Sequence, residues 1–126
     1  MNYMCFDIGG TSIKYGVAKQ NGCLLLKGEM PNDIREKGMQ RFMIRLSYIT
    51  KLCRHGYNLQ GIAVSTAGVI DPVRGIVLDH SGFFPPETAL QELLEQECGL
   101  PCTVENDANA AALGEYWLGE GRGAKR

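Results

Sequence analysis

The stretch Phe6-Asp7-Ile8-Gly9-Gly10-Thr11-Ser12-Ile13-Lys14 sets the course of the chain. Tyr3 to Asp7 reads as a short buried strand that ends on an acid. Gly9-Gly10 then makes a sharp turn, and Ser12 to Ala18 reads as a second strand. Side chains alternate along a strand, so Ile13, Tyr15 and Val17 share one face. Gln20-Asn21-Gly22 is a hairpin signal, because Asn-Gly tolerates the positive φ angles of a tight turn. Cys23 to Met30 supplies a third strand, which Pro31 ends. The chain therefore opens with three consecutive antiparallel strands.

Downstream the period changes. A helix is expected from about Ile34 to His55, with Met39, Phe42, Met43, Leu46, Ile49, Leu52 and Cys53 at helical spacing. Arg35, Lys37, Arg41, Arg45, Lys51 and Arg54 read as its solvated surface, and Gly56 as its stop. Leu59 to Thr66 is a fourth strand, short, apolar and β-branched at its centre. Asp71 to Gly75 is a turn between two short extended pieces, and His80 to Pro86 a loop carrying Phe83 and Phe84. Thr88-Ala89-Leu90-Gln91 resembles a capping box opening a helix with Leu90, Leu93 and Leu94, ended by Gly99 and Pro101. Pro101 to Glu105 is a fifth strand, and Asp107 to about Leu118 a last helix. This order predicts an α/β fold: a mixed five-stranded sheet, three antiparallel strands followed by parallel βαβ additions, with helices.

A chain of 126 residues suits one domain with one core. With 44% hydrophobic and 21% charged residues, it is neither disordered nor fibrous. The net charge of −1 does not suit a nucleic-acid partner. No apolar run reaches the ~18 residues of a membrane span, and Met1 to Cys5 lacks the pattern of a signal peptide. Five cysteines, an odd number and most of them in apolar segments, read as buried free thiols of a cytoplasmic protein. The two histidines, His55 and His80, read as surface or turn residues rather than parts of a metal cluster.

Two stretches carry chemistry. Phosphate binding needs backbone N–H groups that can approach oxygen closely, which favours glycine at a tight turn. Asp7-Ile8-Gly9-Gly10-Thr11 offers two glycines, a hydroxyl and an acid able to hold Mg²⁺ through water. Taken alone, it also fits a plain Gly-Gly hairpin. The other stretch is Val104-Glu105-Asn106-Asp107-Ala108-Asn109-Ala110-Ala111-Ala112-Leu113-Gly114-Glu115, a strand end, a polar turn and a thin, alanine-rich helix. A carboxylate at a helix start is held rigidly and kept ionised by the helix dipole, as a base must be when a hydroxyl attacks phosphorus. Asn106 can both donate and accept hydrogen bonds, which suits sugar hydroxyls. Taken alone, Asn106 or Asp107 reads first as a helix N-cap. Glu105 and Glu115 read as structural.

Together these residues resemble the ROK family of bacterial sugar kinases. Asp7-Ile8-Gly9-Gly10-Thr11-x-x-Lys14 is similar to the family's first phosphate motif, and Gly61 to Asp71 to its sugar-side segment. Glu105 to Glu115 is similar to its catalytic segment, the most specific of the three. The likeness runs from about Asn2 to Gly121; one departure is Ala67, where the family commonly has proline before the glycine matching Gly68. The resemblance implies half of an actin-like ATPase fold, related to ribonuclease H, with residues 1–121 as the N-terminal domain and 122–126 as a tail toward a C-terminal domain. It implies ATP, Mg²⁺ and a hexose or N-acetylhexosamine: glucose, N-acetylmannosamine, N-acetylglucosamine or a β-glucoside. Asp107 would be the general base, with Asn106 and Gly68 against the sugar. Asp7, Ile8, Gly9, Gly10, Thr11, Ser12 and Lys14 would face the ATP phosphates and Mg²⁺. A zinc motif would belong to the C-terminal domain. The domain alone is expected to be inactive and to self-associate, as a homodimer, through faces that the other domain would cover. The same family includes sugar-sensing transcriptional regulators with an N-terminal helix-turn-helix, for which a first strand at about residue 3 leaves no room; a non-catalytic sugar-binding domain is the other alternative to a kinase.

Overall fold

The computed structural model describes residues 1–71, 73–79 and 82–106; within these, the side chains of Val69, Asp79 and Asn106 are not described. The expected last helix, with Asp107, and the basic tail lie outside the described residues. The elements run β1 (Asn2–Ile8), β2 (Ser12–Lys19), β3 (Leu24–Pro31), α1 (Ile34–Lys37) and α2 (Met39–Gly56). Then come β4 (Leu59–Thr66), β5 (Val69–Asp71), β6 (Ile76–Asp79), α3 (Leu90–Cys98) and β7 (Cys102–Asn106).

Five strands form one sheet in the order β3-β2-β1-β4-β7, and β5 and β6 form a separate small hairpin. β1 pairs antiparallel with β2, and β2 antiparallel with β3. β4 joins parallel to β1, and β7 parallel to β4. The chain thus has the mixed α/β sheet that its strand pattern predicts. Alternation places Met4, Phe6, Ile8, Ile13, Val17, Ile62, Val64, Cys102 and Val104 on one buried face. Phe42, Met43 and Leu46 of α2 and Leu90, Leu94 and Cys98 of α3 join them in a single core. At the 20–22 turn only Gly22 takes a positive φ, 92°, and its N–H donates to the Lys19 carbonyl at 2.8 Å.

The helix expected over 34–55 is two helices. Gly38 has φ 90° and ψ 170°, and the chain turns there between α1 and α2. Glycine adopts this conformation without the Cβ clash of other residues, so the break falls on it. The buried stripe of α2 also differs from the apolar count. It contains Ser47 and Thr50, whereas Leu52 is 53% exposed. Thr50 satisfies its buried hydroxyl by donating to the Leu46 carbonyl at 2.8 Å. Four of the basic residues tether this region as well as meeting solvent. Arg41 and Arg45 hold Asp33 at 3.2 and 3.0 Å. Arg35 donates to the Gly82 carbonyl at 2.7 Å and Arg54 to the Cys98 carbonyl at 3.0 Å.

The capping box expected at α3 is not formed. Ala89 is the N-cap residue and makes no side-chain cap bond. Thr88 instead donates its hydroxyl to the Pro85 carbonyl at 2.6 Å and bridges Val77 through its backbone. The first turn is satisfied from elsewhere: the Gln91 N–H reaches the Gly75 carbonyl at 3.1 Å. Gly99 ends α3 in the left-handed conformation, as its sequence position predicts. Cys5, Cys53, Cys98 and Cys102 are buried free thiols, and Cys23 is exposed. Burial pushes the Cys5 and Cys102 thiols up to about 12.

The loop carrying Phe83 and Phe84 is part of the core. Phe84 is 2% exposed and meets Phe42 edge to face at 5.6 Å. Phe84→Ala is therefore expected to lower stability by about 3–5 kcal/mol, as for a helix or strand core residue. Urea denaturation measures this; a loss below about 1 kcal/mol, the level of a surface site, would show that the loop is not core.

Candidate active site at the carboxyl ends of the parallel strands

Because β1, β4 and β7 are parallel, their carboxyl ends share one edge, where ligands of open α/β sheets bind. Register places five polar residues in one row there, one from each strand. Glu29 is opposite Lys14, Lys14 opposite Asp7, Asp7 opposite Ser65, and Ser65 opposite Glu105. Residues in register share a face, and this face is the one turned away from Phe6, Ile8 and Val64 of the core. Behind the row the same face is lined by small residues, Cys5, Ala18 and Ala63. Asp7 and Ser65 touch: the serine hydroxyl donates to Asp7 Oδ1 at 2.9 Å. Among the described residues this is the one hydrogen bond to the Asp7 carboxylate, so Oδ2 is available to a ligand.

The glycine turn lies directly beyond Asp7. Its Gly9 N–H is already used, donating to the Ser12 carbonyl at 2.9 Å. The Gly10 and Thr11 N–H groups have no backbone partner among the described residues. Gly10 and Thr11 are exposed, and a Cβ built on Gly10 would meet nothing within 4 Å. Neither glycine takes a positive φ, so backbone strain does not account for Gly10. The turn is braced from the β3–α1 connection. Asn32 Nδ2 donates to the Gly9 carbonyl at 2.7 Å, and the Asn32 N–H donates to the Thr11 carbonyl at 2.9 Å.

The remaining residues singled out from the sequence fall as follows. Ile8 is fully buried in the core, so only its backbone can face a ligand. Ser12 pairs with Pro31 and spends its carbonyl on Gly9. Lys14 is exposed on the face of Asp7. Gly68, just past the end of β4, has φ 111°, a conformation that itself calls for glycine. Asp71 serves its own turn, accepting from the Val73 and Arg74 N–H groups at 3.1 and 3.3 Å. The Arg74 guanidinium, 2.7 Å away, holds its carboxyl below the usual range. Asn106 ends β7 opposite Thr66. Asp107 lies outside the described residues.

The donor set fits magnesium better than a tightly caged ion. Among the described residues no group of three or more acidic, histidine or cysteine side chains converges. Mg²⁺ keeps several waters and takes one or two carboxylates plus phosphate oxygens, which a single half-bound Asp7 suits. Sequence reading missed two residues here. Ser65 is sequence-distant from Asp7 by 58 positions, and Asn32 from Gly9 by 23. The one sequence signal for Ser65 was a polar residue breaking the apolar run of β4 at the point where Asp7 breaks that of β1.

The sequence profile of the ROK family matches residues 3–126. A β-glucoside kinase of Listeria monocytogenes is 34% identical over 125 residues, covering 97% of this chain and 40% of that protein. The structure of a ROK glucokinase from Streptomyces griseus, in complex with glucose and AMPPNP, has a TM-score of 0.80 and 31% identity over 94% of this chain and 37% of that one. A ROK transcriptional regulator homologous to Mlc of E. coli shares the fold alone, with a TM-score of 0.79 at 19% identity over 91% of this chain and 30% of that one. The chain thus spans about two fifths of the length of the kinases it matches. No helix among the described residues is long and apolar enough to cross a membrane. The profile match over nearly the whole sequence places this chain in the ROK family, and its mixed five-stranded sheet is shared with ROK sugar kinases of actin-like ATPase fold.

Proposed function

We propose that this domain belongs to an ATP-dependent sugar kinase, which transfers the γ-phosphoryl group of ATP to a hydroxyl of a hexose or N-acetylhexosamine. The observation that carries the reading is the pairing of Asp7 with an exposed turn whose Gly10 and Thr11 N–H groups are unpartnered among the described residues. Exposed, unpartnered N–H groups beside a carboxylate suit a phosphate with its metal. The named kinases among its relatives, at 31–34% identity, support the same reading.

In this reading Gly10 and Thr11 receive phosphate oxygens and Lys14 adds positive charge. Asp7, oriented by Ser65, would hold Mg²⁺, which would neutralise phosphate charge. Asn106 and the Gly68 turn contact the sugar. Asp107 takes the proton from the sugar hydroxyl as its oxygen attacks phosphorus; the γ-phosphoryl bond to ADP breaks as the new ester bond forms. The polar row supplies one wall of such a site. A second domain supplies the other and excludes water on closing, so the isolated domain is close to inactive.

Asp107→Asn in the full-length protein is expected to lower kcat by about 10²- to 10⁴-fold while sugar affinity stays near wild type. A coupled ADP-release assay over glucose, N-acetylmannosamine, N-acetylglucosamine and a β-glucoside tests both claims. Retained turnover in the variant would remove Asp107 from the role of base. No turnover of any of these by the wild type would overturn the kinase reading.

The two glycines of the turn should separate. Gly10→Ala puts a methyl group into open space and is expected to leave the melting temperature equal or slightly raised while raising the KM for ATP. Gly9→Ala brings a Cβ to 3.1 Å from the Ser12 carbonyl and is expected to lower the melting temperature too. Equal KM for ATP in Gly10→Ala and wild type would take the phosphate away from this turn.

A further inference from the structure

We infer that Asn32 is a positioning residue that aims the glycine turn at the nucleotide phosphates; the inference rests on the reading of Gly10 and Thr11 as phosphate ligands. Two adjacent glycines have no side chains to anchor them and sample backbone conformations freely. Within the turn the one internal backbone bond runs from Gly9 N–H to the Ser12 carbonyl. Its remaining shape is imposed from outside by Asn32, which binds the Gly9 carbonyl through Nδ2 at 2.7 Å and the Thr11 carbonyl through its N–H at 2.9 Å.

The peptide plane gives these two contacts a consequence. A carbonyl and the N–H of the next residue belong to one rigid planar unit and point in opposite directions. Fixing the Gly9 carbonyl toward Asn32 therefore points the Gly10 N–H away from it. Asn32 is itself immobilised. Its Oδ1 accepts the Ile34 N–H at 3.1 Å, a local turn typical of asparagine. The next residue, Asp33, is held by Arg41 at 3.2 Å and Arg45 at 3.0 Å, both from α2. The turn is thus indexed to the helix layer through one half-buried amide.

The test compares full-length wild type with Asn32→Ala and Asn32→Ser. Serine can keep the local turn through its hydroxyl but does not reach the Gly9 carbonyl, so it serves if the alanine variant folds poorly. ATP affinity is measured by calorimetry with Mg²⁺ and no sugar, and KM for ATP and for sugar by steady-state assay. Loss of the brace is expected to weaken ATP binding and raise its KM by about 3- to 10-fold, the worth of one net hydrogen bond, with the sugar KM within about twofold. Unchanged ATP affinity in either folded variant would overturn the inference, as would sugar and ATP KM rising together. A wild type that binds ATP but phosphorylates no sugar would sink the kinase reading alone, and the affinities would still decide the role of Asn32. A wild type that binds no ATP would overturn both.

Discussion

β1 is hydrogen-bonded on both sides, antiparallel to β2 and parallel to β4, and everything that resembles a site depends on this double pairing. The antiparallel side returns the chain through the glycine turn, so the turn sits at the carboxyl end of β1. The parallel side brings the carboxyl end of β4 to the same edge, and β7 repeats the operation. Asp7, Ser65 and Glu105 then meet as register partners although they are dispersed along the chain. A register slip of one residue would send Asp7 into the core and Ile8 to solvent, so the buried apolar face enforces the position of the acid.

The strands were legible because period-two alternation and turn residues are local signals. Leu59 to Thr66 needed no tertiary information, and neither did the left-handed stop at Gly99. The failures share a physical origin. Gly38 sits inside an apolar pattern that continues across it, and only the packed backbone shows that the helix restarts there. Ser47 and Thr50 are buried because of their place on the helix, and Thr50 can be because its hydroxyl finds a carbonyl within its own helix. Thr88 and Gln91 have the spacing of a capping box, but Val77 and Gly75 hold their backbones first. Phe83 and Phe84, between glycine and prolines, looked like loop residues until the ring of Phe42 was placed against Phe84.

The candidate site divides in the same way. Asp7 and the two glycines could be read from the sequence because motif residues are adjacent along the chain. What shapes them could not. Ser65 and Asn32 act through contacts that span long stretches of sequence, and neither residue type is unusual where it stands. The structure also narrows the motif. Gly9 spends its N–H on the Ser12 carbonyl, and Ile8 belongs to the core, whereas Gly10 and Thr11 are exposed with N–H groups that have no backbone partner among the described residues. The glycine turn is thereby a small device: one residue closes it, one is bare toward solvent, and an amide from the next connection braces it.

The most direct measurement is a structure of the full-length protein with a non-hydrolysable ATP analogue and Mg²⁺. The expected result has phosphate oxygens within about 3 Å of the Gly10 and Thr11 nitrogens, and a metal-bound water on Asp7. Phosphates bound away from this turn, with Gly10 and Thr11 left facing solvent, would contradict the central claim.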